Sequence, residues 1–259
     1  MRKSILSVSI AAALLAPAVA SAQTPASSPL TGNVGFFSDY VFRGLTQTGG
    51  RPALQGGADY AHASGAYMGT WASNISWLND AGAYTGSSLE WDFYGGQKGS
   101  IAGDLGYDVG LLYYWYPGSR APGSTNASTL ETYGAVAWKW LSAKLWYSPL
   151  NQTFGVPDSR GTLYLDLSAN YPVTDKLNAV LHYGIRRFRG NQAAGSNDSL
   201  ASYRDYKFGA TYALPQSFTV GAVYTGTTGM GGTQKTFYTN AYGRFPGKST
   251  ITLLLQKTF

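Results

Sequence analysis

The stretch "DLGYDVGLLYYW", Asp104 to Trp115, decides the fold. Its residues Leu105, Tyr107, Val109, Leu111, Tyr113 and Trp115 fall on one side of an extended chain, and Asp104, Gly106, Asp108 and Gly110 fall on the other. Side chains of a strand point alternately to opposite faces, so this is a strand with one apolar face and one small polar face. A soluble sandwich also alternates, because one side of each sheet meets water. Here, however, the apolar face is long and ends in aromatic residues, the "YYWYPG" run at Tyr113–Gly118. Aromatic ends of this kind match the girdles of outer-membrane barrels.

The same period recurs along the chain. "SLEWDFYGG" sets Leu89, Trp91 and Phe93 against Glu90, Asp92 and Tyr94. "YLDLSANY" sets Leu163, Leu165 and Leu167 against Asp166 and Ser168, and "YRDYKFGATYAL" sets Tyr206, Phe208, Ala210, Tyr212 and Leu214 against Asp205, Lys207, Gly209 and Thr211. Composition agrees: 33 glycines, 20 tyrosines and 7 tryptophans with only 12% charged residues favour strands over helices.

Met1 to Ala22 reads as a secretory signal. Arg2 and Lys3 precede an apolar stretch, and Ala20-Ser21-Ala22 offers a small-residue cleavage site. Cleavage leaves a short tail, residues 23–30, before a barrel over 31–259. No other segment approaches 18 apolar residues, so helical membrane spans are not expected. The chain has no cysteine, which excludes a lipoprotein and a disulfide-stapled domain. Loss of Arg2 and Lys3 lowers the formal charge from +6 to +4, and no basic cluster points to nucleic acid.

Twelve strands are expected near 31–42, 53–61, 66–76, 87–97, 103–116, 128–139, 141–149, 161–170, 176–188, 201–213, 216–226 and 248–259. Their connections alternate long and short, the pattern of external loops and periplasmic turns. "KTFYTNAYGRF", Lys235–Phe245, alternates weakly. Counting it would give an odd number of strands, so it is assigned to the last external loop. The ending "ITLLLQKTF" places Ile251, Leu253 and Leu255 at period two and closes on Phe259. It is similar to the terminal aromatic signature by which the barrel-assembly machinery recognises outer-membrane proteins.

"SDYVFRGLTQT" (from Ser38), "PALQGGADYAH" (from Pro52), "GAYMGTWASNI" (from Gly65), "YDVGLLYYWYPG" and the closing "LLLQKTF" together resemble the proteobacterial Gcw_chp family, also labelled TorF-family candidate porins. The likeness runs over nearly the whole mature chain, though the 227–247 region is longer than the family pattern. The resemblance implies an outer-membrane β-barrel and a pore, with no catalytic motif and no particular substrate.

Parity then places the charges. With Tyr40 and Phe42 on the lipid side, Asp39 and Arg43 face the lumen; Arg at the lipid midplane would cost roughly 2–4 kcal/mol. The same rule turns Asp59, Glu90, Asp92, Asp108, Glu131, Asp166 and Asp205 inward, with Lys139, Lys144, Arg186 and Lys207. Eight acids against five bases make a mildly acidic wall. They suit either a pore favouring cations or a filled barrel held rigid by cross-lumen pairs. Weak cation selectivity is therefore expected of a channel for small hydrophilic solutes or ions. A non-conducting structural or surface-interaction barrel is the alternative, and a barrel enzyme is third.

Of two histidines, His62 lies at a turn and His182 faces the lumen in mid-strand, where neither a lipid hydrolase nor a rim protease would place its base. No enzyme activity, cofactor or metal is expected. "YGGQKG", Tyr94–Gly99, lacks the spacing of a phosphate loop and reads as a strand end and turn. External loops carry Arg51, Arg120, Arg160, Arg189, Lys235 and Arg244 against Asp80, Asp158 and Asp198. Such a rim suits lipopolysaccharide phosphates as well as plain solvation.

Overall fold

The computed structural model describes residues 28–259. The signal-peptide reading and most of the tail lie outside them. Twelve strands form one closed antiparallel barrel. They are β1 (Leu30–Phe37), β2 (Ala53–Ala61), β3 (Ala66–Asn74), β4 (Leu89–Ala102), β5 (Leu105–Trp115) and β6 (Thr129–Trp138), followed by β7 (Leu141–Ser148), β8 (Thr162–Pro172), β9 (Leu177–Arg187), β10 (Tyr203–Ala213), β11 (Phe218–Thr228) and β12 (Thr250–Thr258). Each pairs with its neighbours in sequence, and β1 closes on β12, with Asn33 opposite Thr258 and Phe37 opposite Leu254.

Polarity is inverted relative to a soluble protein. On β12, Leu253 is 58% exposed while its neighbour Leu254 is 7% exposed, which fixes the direction of each face. Leu54, Met68, Val109, Leu111, Leu145, Leu181 and Phe208 also face outward. In water, each large apolar side chain left out forfeits about 1.5–3 kcal/mol. Aromatic pairs border this belt: Trp91 and Trp115 at one end (centroids 5.9 Å apart), Trp140 and Tyr171 at the other (5.3 Å).

One end carries the short turns, 62–65, 103–104, 139–140, 173–176 and 214–217; the opposite end carries the long loops. Alternation of connection lengths holds throughout, and 235–245 lies in a loop as expected. That loop contains α3 (Gly232–Tyr238), after α1 (Trp77–Asp80) and α2 (Asn197–Ala201) in earlier loops. "YGGQKG" proves to be strand interior, because β4 runs on to Ala102 before turning.

The inner face departs most from expectation. Its glycines are recesses for tyrosine rings on the adjacent strand. Gly69 faces Tyr94, Gly96 faces Tyr67 and Gly110 faces Tyr133 across the ladder. A Cβ on Gly110 would sit 2.8 Å from the Tyr133 hydroxyl oxygen, and one on Gly96 would sit 2.7 Å from that of Tyr67. Near the loop end the inner face turns apolar. Leu112, Tyr114, Tyr116 and Trp146 there pack with Ile75, Leu78 and Tyr84 of the loops into a core inside the barrel mouth.

Candidate functional site: the lumen and its inward loops

The expected first strand, 31–42, ends at Phe37 instead, and residues 38–52 turn back into the barrel. Val41–Phe42 and Leu45–Thr46 pair as a small hairpin whose two-residue turn is Arg43-Gly44, with φ of 47° and 78°. Two successive positive φ values make a mirror-image turn that matches strand twist, and glycine takes its second position without strain. Tyr40 and Phe42 therefore do not face outward. Tyr40 is buried and donates to Glu90 Oε1 at 2.8 Å, while Phe42 packs at 5.7 Å from both Tyr114 and Phe154.

A second loop does the same. Gln152–Thr153 and Val156–Pro157 flank a Phe154-Gly155 turn, with φ of 49° and 79°. Phe154 meets Tyr114 edge-on at 4.9 Å. Both hairpin tips thus meet inside the mouth.

Arg43 carries the central contact. Its Nη1 and Nη2 donate to Glu131 Oε1 and Oε2 at 2.9 and 2.6 Å, and its guanidinium lies 4.0 Å from the centre of the Tyr164 ring. Glu131 also accepts from Tyr114 at 3.2 Å and Ser148 at 3.4 Å. A bidentate fork with further donors is the geometry in which a buried ion pair offsets its desolvation. Asp39, also expected on the wall, stays within the loop, where Thr46 and Thr48 donate to it at 2.5 and 2.8 Å. Burial raises the pKa of its carboxyl, against the lowering effect of those hydroxyls.

Deeper charges form two clusters. Asp108 accepts from Tyr67 at 2.7 Å and Tyr133 at 3.3 Å, with Lys144 Nζ 3.9 Å away and 4.1 Å from the Tyr133 ring centre. His182 spans two carboxylates, Nε2 to Asp205 at 2.9 Å and Nδ1 to Asp166 at 3.1 Å, with Ser168 also 3.1 Å from Nδ1. Ser168 gives its proton to Asp166 at 2.5 Å. Neither ring nitrogen is left free to activate that serine, so the trio lacks the arrangement of a nucleophilic triad. Lys207 stands opposite His182 on β10. Asp59 takes the Tyr94 hydroxyl at 2.6 Å.

Arg186 lies 4.7 Å from both the Phe154 and Phe188 ring centres, with Nε and Nη2 unpartnered. Glu90 and Asp92 are inward and buried on β4. Lys139 is the exception: it sits exposed in the turn after β6, at φ 53°. Parity failed there because the strand had already ended at Trp138. Lys98 takes its place in the inner count, opposite Asp108 and 5.5 Å from the Tyr67 ring centre. It was missed because its segment was read as a turn.

A family model described as a bacterial protein of unknown function, Gcw_chp, matches residues 21–259. The chain belongs to the Gcw_chp family. No curated protein matches it. Among solved structures, the NanC porin is similar to this Gcw_chp chain at 9% identity and TM-score 0.51, over 88% of this chain and 98% of that one. A chain solved in a study of in-meso crystallization of membrane proteins is similar at 10% identity and TM-score 0.50, over 89% and 83%. At such identities the likeness concerns the barrel fold.

Proposed function

We propose that this barrel resides in the bacterial outer membrane as a porin for small hydrophilic solutes or ions, weakly favouring cations and without enzymatic activity. The observation that carries this reading is the inverted polarity: a charged, tyrosine-rich interior inside an apolar, aromatic-bordered exterior. In this reading residues 1–22 direct export and are removed, 23–30 form a tail, and the assembly machinery inserts the barrel through its Phe259 end. Long loops then face outward, and their arginines meet lipopolysaccharide phosphate. Asp39, Arg43, Asp59, Glu90, Asp92, Asp108, Glu131, Lys144, Asp166, His182, Arg186, Asp205 and Lys207 surround the solute path.

The inward hairpins favour a second reading, a barrel that does not conduct and serves structure or surface contact. Purified protein in planar bilayers separates the two. Stepwise, reproducible conductance is expected. Its absence from folded, heat-modifiable protein would reject the channel and leave the structural reading.

A further inference from the structure

Glu90 and Asp92 differ from the other inner acids except Asp59, which takes a tyrosine hydroxyl. Glu131, Asp108, Asp166 and Asp205 each have an arginine, lysine or histidine within 4 Å. Among the described residues, no such group forms an ion pair with Glu90 or Asp92. They are 1% and 4% exposed, and Glu90 Oε2 and Asp92 Oδ1 have no hydrogen-bond partner. Two neighbouring carboxyl groups in so dry a place must either take up a proton or meet a counter-charge.

Their surroundings specify its kind. Asp92 stands between Trp71 and Tyr114, its cross-strand partners. Tyr40 packs in from the loop side, with its ring 5.5 Å from that of Trp71 and its hydroxyl on Glu90. Tyr116 is buried in the same core as Tyr40 and Tyr114. Aromatic faces attract a cation through their quadrupole, most strongly when it is desolvated. Two free oxygens fall far short of the roughly six to eight that a hard ion such as calcium takes. They do match N–H donors, which a quaternary ammonium lacks.

We propose that Glu90, Asp92, Tyr40, Trp71, Tyr114 and Tyr116 form a binding site for the primary ammonium group of a small solute. The site deepens the permeation reading and rests on it only for how the solute arrives, so binding is measured apart from conductance. The test is calorimetric titration of the refolded barrel in detergent with n-propylammonium, tetramethylammonium and potassium chlorides. Propylammonium should bind with a stoichiometry near one, tighter than either competitor by about tenfold or more. Glu90→Gln with Asp92→Asn should abolish this binding, and Asp92→Asn alone should weaken it, whereas Asp104→Asn, in an exposed turn at the opposite end, should leave it unchanged. Heat-modifiable migration checks that each variant is folded. Equal binding of all three cations, no binding to wild type, or undiminished binding to the folded double variant would overturn the site. Binding without bilayer conductance would instead sink the permeation reading and leave the site standing.

Discussion

Arg43 and Glu131 lie 88 residues apart in sequence and meet almost out of reach of water, at 7% and 1% exposure. Removing one member of such a pair strands the other, at a cost of about 3–5 kcal/mol, whereas replacing both costs far less. Glu131→Gln should therefore lower the temperature at which the folded band is lost on heating, and adding Arg43→Met should recover much of that loss. Arg43→Lys should fall between, because an ammonium keeps the charge but not the fork. Equal heat stability of wild type and Glu131→Gln would show that the pair does not hold the loop. From the sequence, Arg43 was legible as a lumenal charge, since an unshielded guanidinium could not face lipid. Its partner was not, because parity gives the side of a wall and says nothing of which residue stands across the bore.

At the level of elements, strands were legible and loops were not, for a physical reason. A wall strand writes its two environments into every second residue, so β5, β8 and β10 could be read directly. Residues 38–42 carry the same aromatic alternation, yet they serve a core inside the mouth, which wants the same residue types as lipid does. The Arg43-Gly44 and Phe154-Gly155 turns held the missing signal, since a residue followed by glycine between short apolar pairs fits a tight hairpin. Gly44 is also pressed against the far wall. A Cβ there would lie 2.7 Å from Asp205 Cβ and 2.9 Å from the Gly226 carbonyl oxygen, at a φ of +78°. Gly44→Ala should therefore unseat the hairpin while sparing the barrel. Trypsin should then cleave after Arg43 in the folded variant faster than in wild type. Identical cleavage would mean that the tip is not held as described.

Across the whole molecule, charge is sorted around the ring. Strands β2 to β6 contribute Asp59, Glu90, Asp92, Asp108 and Glu131 against Lys98 alone, whereas β7 to β10 mix Lys144, Arg186 and Lys207 with Asp166 and Asp205. The three further strands contribute uncharged inward groups, including Thr225, Thr252, Leu254 and Gln256. The wall is thus acidic on one side even though the chain as a whole is net positive, at +6. Charges on loops and turns are screened over about 10 Å at 0.1 M salt, but over about 30 Å at 0.01 M. Wall charges in a narrow bore of low polarisability act on a solute at close range and are screened less. A conducting barrel should consequently prefer potassium over chloride, weakly at high salt and more clearly as the salt is diluted. Reversal potentials across a tenfold potassium chloride gradient, repeated at falling mean concentration, measure this. Charge-neutralising substitutions on the acidic side, Asp108→Asn above all, should move the potential towards the chloride limit, whereas Lys207→Gln should move it the other way. A wild-type barrel that prefers chloride at every concentration would mean that the basic groups of β7 to β10, not the acidic side, border the path that ions take.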